Sequence, residues 1–275
     1  SGLIHGYGQK LGGIIGEIGS GNITLTTISQ RASIVSTLDF QNEEGDPAFA
    51  GGIIGYNQGD LTILNSTNHN SVTAESINVG GFVGSSYSGN VTIKTSLNYG
   101  NISGKGNNDA GIGGIIGYNE DSELNLFQVI NHGQITGGDR VGGLAGGSSD
   151  ATIEESENFG LIVGENNVGG LAGVLFGSTT VSKSHNYGNV SASGERAGGL
   201  IGNLDGPVLI FQSSNQGNVQ STDNTVGGLI GYFEGDLSIN QSFNMGTLSL
   251  NSSSNEASIG GLIGELFESD TEFQI

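Results

Sequence analysis

The chain has 275 residues, 34% of them hydrophobic, with 52 glycines, 2 prolines and no cysteine. Collagen would place glycine at every third position beside abundant proline, and a disordered chain would lack the short Ile, Leu and Val blocks that recur here, so the chain is ordered but rich in turns. Seven basic residues against 27 acidic ones give a net charge of −20, which excludes the basic footprint of a nucleic-acid binder and disfavours direct contact with an anionic membrane.

The absence of cysteine removes disulfide frameworks and thiolate metal sites. No apolar stretch approaches the roughly 20 residues of a membrane helix, and the opening SGLIHGYGQK has neither a basic n-region nor a usable apolar run. Any export signal is therefore expected to have been removed or to lie outside this sequence.

From the N-terminus onward one block returns. Gly-Gly-apolar-apolar-Gly starts at Gly12, Gly51, Gly80, Gly113, Gly142, Gly169, Gly198, Gly227 and Gly260, at spacings of 39, 29, 33, 29, 27, 29, 29 and 33 residues. Each glycine box is followed by a short alternating segment: NITL at Asn22, DLTI at Asp60, NVTI at Asn90, ELNL at Glu123 and DLSI at Asp236. A third block, Ser-x-Asn-x-Gly-x-apolar, comes next: SLNYGNI from Ser96, SENFGLI from Ser156, SHNYGNV from Ser184 and SFNMGTL from Ser242. Looser copies start at Ser66, Val129 and Ser213, and the first full repeat keeps only ISQRASI from Ile28.

Strict alternation over a few residues marks strands, and the Gly, Asn, Asp and Ser between them form turns; no window has a 3.6-residue apolar period. A self-similar period of this size predicts one all-β domain over residues 1–275, a right-handed parallel β-helix (β-solenoid) with about 29 residues and three short strands per coil. The hand follows the general preference for right-handed crossovers. Eight complete coils and two partial ones are expected. Gly100, Gly160, Gly188 and Gly246 are read as corner residues that exploit positive φ. Asn98, Asn131, Asn158, Asn186, Asn215 and Asn244 are read as a stacked amide ladder.

The boxes VGGLAG (Val141 to Gly146), VGGLAG (Val168 to Gly173), AGGLIG (Ala197 to Gly202) and VGGLIG (Val226 to Gly231), with their NYGNV-like partners, resemble GLUG-motif repeats over nearly the whole chain. The resemblance implies an exported, adhesin-like, non-catalytic repeat region of a microbial surface protein. It transfers no active site, and the HExxH motif of the immunoglobulin-A peptidases that such repeats flank is absent.

Two features leave alternatives open. Adjacent apolar residues in the box, such as Leu200 and Ile201, are either both buried by a bend at the glycines or leave one column as an exposed stripe. The chain also begins and stops partway through a coil, which fits either an excised piece of a longer protein or a filament subunit that self-associates head-to-tail through open ends.

For chemistry, His69, His132 and His185 fall in or beside the Asn-x-Gly corner in alternate coils, about 10 Å apart and too far to share one metal ion; His5 stands elsewhere. Glu120, Asp121 and Glu123, and Glu154, Glu155 and Glu157, are the carboxylate clusters for an alternative carbohydrate-active β-helix enzyme. A glycan-binding module using stacked Tyr99, Phe159 and Tyr187 is a further alternative. No nucleophile signature supports catalysis, and no cofactor is implied. The acidic insertion holds the weak calcium candidates Glu43, Glu44 and Asp46, without a recognised ligand spacing. Lys10, Asp139-Arg140 and Glu195-Arg196 precede their boxes at equivalent positions and read as solvated charges that discourage lateral pairing. Sequons stand at Asn22, Asn65, Asn90, Asn101, Asn189, Asn240 and Asn251. The partners implied are surface glycans, a host protein or further copies of the chain, outside the cell.

Overall fold

The computed structural model describes residues 2–6, 10–37, 48–75, 78–105, 110–267 and 273–274. Among these residues there is no helix, and every strand pairing is parallel. The chain winds through about nine turns of about 29 residues as a β-solenoid.

Three sheets run along the rod. The first stacks nine strands, from Gly2–Gly6 and Ala32–Ser36 through Ile162–Gly164 and Val190–Ala192 to Leu248–Leu250. The second also stacks nine, each entering a glycine box: Lys10–Gly12, Phe49–Gly51, Asn166–Gly169 and Ser258–Gly260 among them. The third is a composite in which each coil runs through consecutive segments with tight corners between them, such as Ile201–Asp205, Val208–Phe211 and Ser214–Asn215. The register is strict: Gly142 pairs with Gly169, Gly169 with Gly198 and Gly198 with Gly227.

The glycine box resolves the first open alternative in favour of the bend. Leu171 and Ala172, Leu200 and Ile201, and Leu229 and Ile230 are all fully buried. Consecutive amides share one carbonyl: Leu200 N and Ile201 N both donate to Leu229 O, at 2.8 and 2.9 Å. A bulge of this kind breaks the side-chain alternation and turns both residues inward. The terminal coils depart: Ile14 in the first is 53% exposed where its counterpart Ile53 is fully buried, and Leu262 and Ile263 in the last are only half-buried.

Each interior coil thus adds a layer of Ile, Val and Leu, and each such side chain fully buried contributes on the order of 1.5–3 kcal/mol. The layers form two separate columns. One lies inside the composite sheet, around Leu171, Leu175, Val181, Leu200 and Ile201. The other lies between the first two sheets, where Ile162, Val190 and Val219 meet Val168, Ala197 and Val226.

Candidate functional site

The two apolar columns are parted where the signature motifs meet. A Cβ added at Gly170 would lie 2.3 Å from Asn186 Cγ and 2.1 Å from Gly199 O; at Gly199 it would lie 2.5 Å from Asn215 Cγ and 2.1 Å from Gly228 O. The second glycine of the box is bare because a buried asparagine fills the place of its side chain.

Those asparagines form a continuous hydrogen-bonded column. Asn68 Nδ2 donates to Asn98 Oδ1, and the pattern runs on through Asn131, Asn158, Asn186 and Asn215 to Asn244, at 2.7–2.8 Å per step. The second hydrogen of Asn158 Nδ2 goes to Gly160 O at 2.9 Å, and Asn158 Oδ1 also accepts from Gly160 N at 3.2 Å. With Asn131 donating from the coil before, both donors and both lone pairs of the amide are used, which removes the cost of burying it. Asn68 belongs to this column although its motif ends in Asn70 instead of glycine, and Gln30 occupies the equivalent place in the first coil.

The corner glycines work differently from the sequence expectation. Gly100, Gly160, Gly188 and Gly246 do not have left-handed φ; positive-φ glycines stand instead at the turn inside the composite sheet, including Gly206 (129°) and Gly235 (136°). Gly188 is glycine because a Cβ there would fall 1.9 Å from Gly160 O in the neighbouring coil. Close approach of stacked backbones, and not handedness, excludes a side chain.

Left-handed backbone appears where no glycine marks it. Thr27, Asn65, Thr95, Gln128, Glu155, Lys183, Gln212 and Gln241 all have φ between 47° and 57°, one per coil in a single column. Each costs about 1–2 kcal/mol in isolation. The next residue is usually serine, which offsets part of that cost: Ser184 Oγ donates to Ser182 O at 2.9 Å and accepts from Ser156 N at 3.1 Å. Gln128 and Lys183 both hydrogen-bond Glu155, and those contacts, in that order, hold its carboxyl below the usual range.

On the outside of the asparagine corner the intervening residues stack. Ring centroids follow one another from His69 to Tyr99 (5.8 Å), His132 (4.9 Å), Phe159 (5.1 Å) and Tyr187 (4.7 Å), with interplanar angles of 6–15°. Tyr99 is 47% and Phe159 44% exposed. Burial, then the charge and hydrogen bond of Glu157, push the Tyr187 phenol up. Because the faces cover one another, the column presents ring edges to solvent. His185 stands beside it, with Nδ1 2.9 Å from Ser214 Oγ.

The third glycine of the box lets the backbones of the second and third sheets meet closely along a seam. A Cβ on Gly173 would lie 2.6 Å from Val141 N, and one on Gly202 2.6 Å from Val168 N. Side chains on the two lips pair across it: Lys10 with Glu17 (2.6 Å), Phe49 with Tyr56 (centroids 4.7 Å), and Asn78 Nδ2 donating to Ser85 Oγ (3.2 Å). The charges before the boxes are therefore not simply solvated. Lys10 lies over Tyr56 at 4.8 Å, Arg196 over Tyr232 at 4.4 Å, and Arg140 over Tyr118 at 5.6 Å.

Glu120, Asp121 and Glu123 lie on the strand Ile116–Asn131, whose register shifts between Asn119 and Glu123, and Glu123 pairs in register with Asp150 of the next coil; Glu154, Glu155 and Glu157 fall on three different columns of the surface. Among the described residues no group of three His, Asp or Glu side chains is placed to hold a metal ion. Glu43, Glu44 and Asp46 lie outside the described residues. All seven sequon asparagines are exposed.

No protein-family model matches the chain, and no curated protein matches it. One solved structure does, a "putative immunoglobulin A1 protease" from Bacteroides ovatus, with a TM-score of 0.54 and 19% identity over 90% of this chain and 78% of that one. At that identity the likeness concerns the fold alone.

Proposed function

We propose that this chain is a non-catalytic, extracellular repeat segment of the GLUG-motif kind, serving as a stiff surface stalk or spacer. The observation that carries the reading is the uninterrupted asparagine column from Asn68 to Asn244, which ties seven successive coils with buried amide bonds. Such a column spends its polar groups on vertical cohesion and leaves none for turnover. Glu123 and Asp150 are neighbours in register along one outward strand column, whereas glycosidic chemistry needs two carboxylates facing each other across a cleft. The net charge of −20 suits a solvated rod that avoids lateral clumping.

Two measurements test it together. Antibodies against the chain should label intact, unpermeabilised cells of the source organism, and a variant lacking one whole coil, residues 170–198, should fold cooperatively into a rod about 4.8 Å shorter by small-angle scattering. Reducing ends released from polysaccharides by the native chain, and lost in Glu154→Gln or Asp121→Asn, would refute the non-catalytic reading.

A further inference from the structure

Three devices tie the coils together on the corner side of the rod, and all three stop at one plane, between the first coil (residues 10–37) and the second (residues 48–75). The amide column begins at Asn68. Gln30 holds the equivalent place in the first coil, but its Nε2 turns back to Ala32 O at 2.6 Å, and its Oε1 is buried without a partner. Each of the six later steps, from Asn68–Asn98 to Asn215–Asn244, has an amide bond of 2.7–2.8 Å. The corner glycines stop here too. From Gly100 to Gly246 an added Cβ would lie 1.8–2.0 Å from a carbonyl oxygen of the preceding coil, whereas Asn70 carries a side chain at that place. The ring column starts at His69, and Arg31 in the first coil instead directs Nε to Ser29 Oγ at 3.2 Å.

We propose that this plane is a joint, at which the first coil opens and closes as one unit while the coils beyond it stay folded. Stability in a stacked repeat is close to a sum of coil and interface terms, so the rod parts more readily where an interface lacks a bond its neighbours have. A missing ladder bond and a buried oxygen with no donor both weaken this interface relative to the six that follow. What still crosses it is the backbone pairing, the Ile28 N bond to Ser66 Oγ, and the packing of Ile15, Ile23 and Leu25 over Ile54, Leu61 and Ile63. Two surface contacts add to these, Asn70 Nδ2 with Arg31 O and Lys10 over Tyr56. Opening uncovers Ile54, Leu61 and Ile63 together with the edges of Ile54–Asn57 and Asp60–Leu64, a face on which another strand can pair. The inference rests on the coil register and holds whether or not the chain serves as a stalk.

The test is native-state hydrogen exchange of the whole chain at low urea. It compares amides that bridge the plane (Ile15, Thr27, Ile34 and His69) with amides that bridge inner ones (Leu171 and Tyr187). The proposal expects the first group to exchange together, at least about a hundredfold faster than Leu171 and Tyr187, and with a shallower urea dependence because opening exposes little more than one coil. Gln30→Asn supplies the shorter amide found in the seven coils that follow. It should slow exchange at Ile15, Thr27 and Ile34 about tenfold and leave Leu171 and Tyr187 unchanged. That variant separates a joint from fraying of an end, which does not depend on the residue at position 30. First-coil exchange at the rate and urea slope of Leu171, exchange residue by residue with no common opening, or unchanged or faster first-coil exchange in Gln30→Asn would each overturn it.

Discussion

The glycine box and the Asn-x-Gly motif both turn the chain sharply within a coil, and they do so by opposite means. At the box, side chains are removed so that backbone can approach backbone: an added Cβ at Gly198 would sit 1.8 Å from Ile201 O. At the Asn-x-Gly corner a side chain is added, and its amide supplies the hydrogen bonds that the turning backbone cannot make for itself. Each motif requires the other, because the asparagine of one occupies the space left by the second glycine of the other. A repeat that kept only one of the two would leave either a clash or a buried void.

That comparison can be broken from either side. The largest effect is expected at Gly170→Ala, whose methyl meets both Gly199 O and the ladder; a loss above about 4 kcal/mol should appear as a collapse of the denaturation midpoint. The same substitution at Gly261, the equivalent position in the last coil, meets nothing within 4 Å and should change stability by less than about 0.5 kcal/mol. Asn158→Ala strips four bonds from a buried column and should cost about 3 kcal/mol by urea titration, with Asn244→Ala, at the end of the column, costing about half as much. Ser184→Ala, which removes the hydroxyl beside left-handed Lys183, should cost about 1–2 kcal/mol in the same assay. Phe159→Ala interrupts the ring stack on the surface and should cost about 1 kcal/mol, seen as a small drop in melting temperature.

The parts of the fold that were legible in the sequence are those in which identity repeats. The nine boxes and the Ser-x-Asn-x-Gly blocks gave the period, the parallel stacking and the interior asparagines, because each position sees the same neighbours in the coil above and below. The column of left-handed residues was not legible. Thr27, Asn65, Glu155 and Lys183 share no chemistry, and their φ is imposed by the stacked coils on either side and not by local preference. The corner glycines were placed correctly in sequence but explained by the wrong cause, since handedness and close approach both select glycine. The cation–tyrosine contacts were missed for another reason. Arg196 meets Tyr232 from the following coil, and only the close approach of the second and third sheets brings those residues together.

The central claim is that equivalent residues of successive coils lie directly above one another through the whole rod. The chain has no cysteine, so spin labels can be placed at will on one outward column that pairs coil to coil, at Thr62→Cys, Thr152→Cys and Ser238→Cys. Pulsed electron–electron resonance should give mean separations of about 14 Å for Thr62 with Thr152 and about 29 Å for Thr62 with Ser238, three and six coil rises. Separations that fail to grow with coil number, or a Thr62–Ser238 distance no longer than the Thr62–Thr152 distance, would contradict the stacked register.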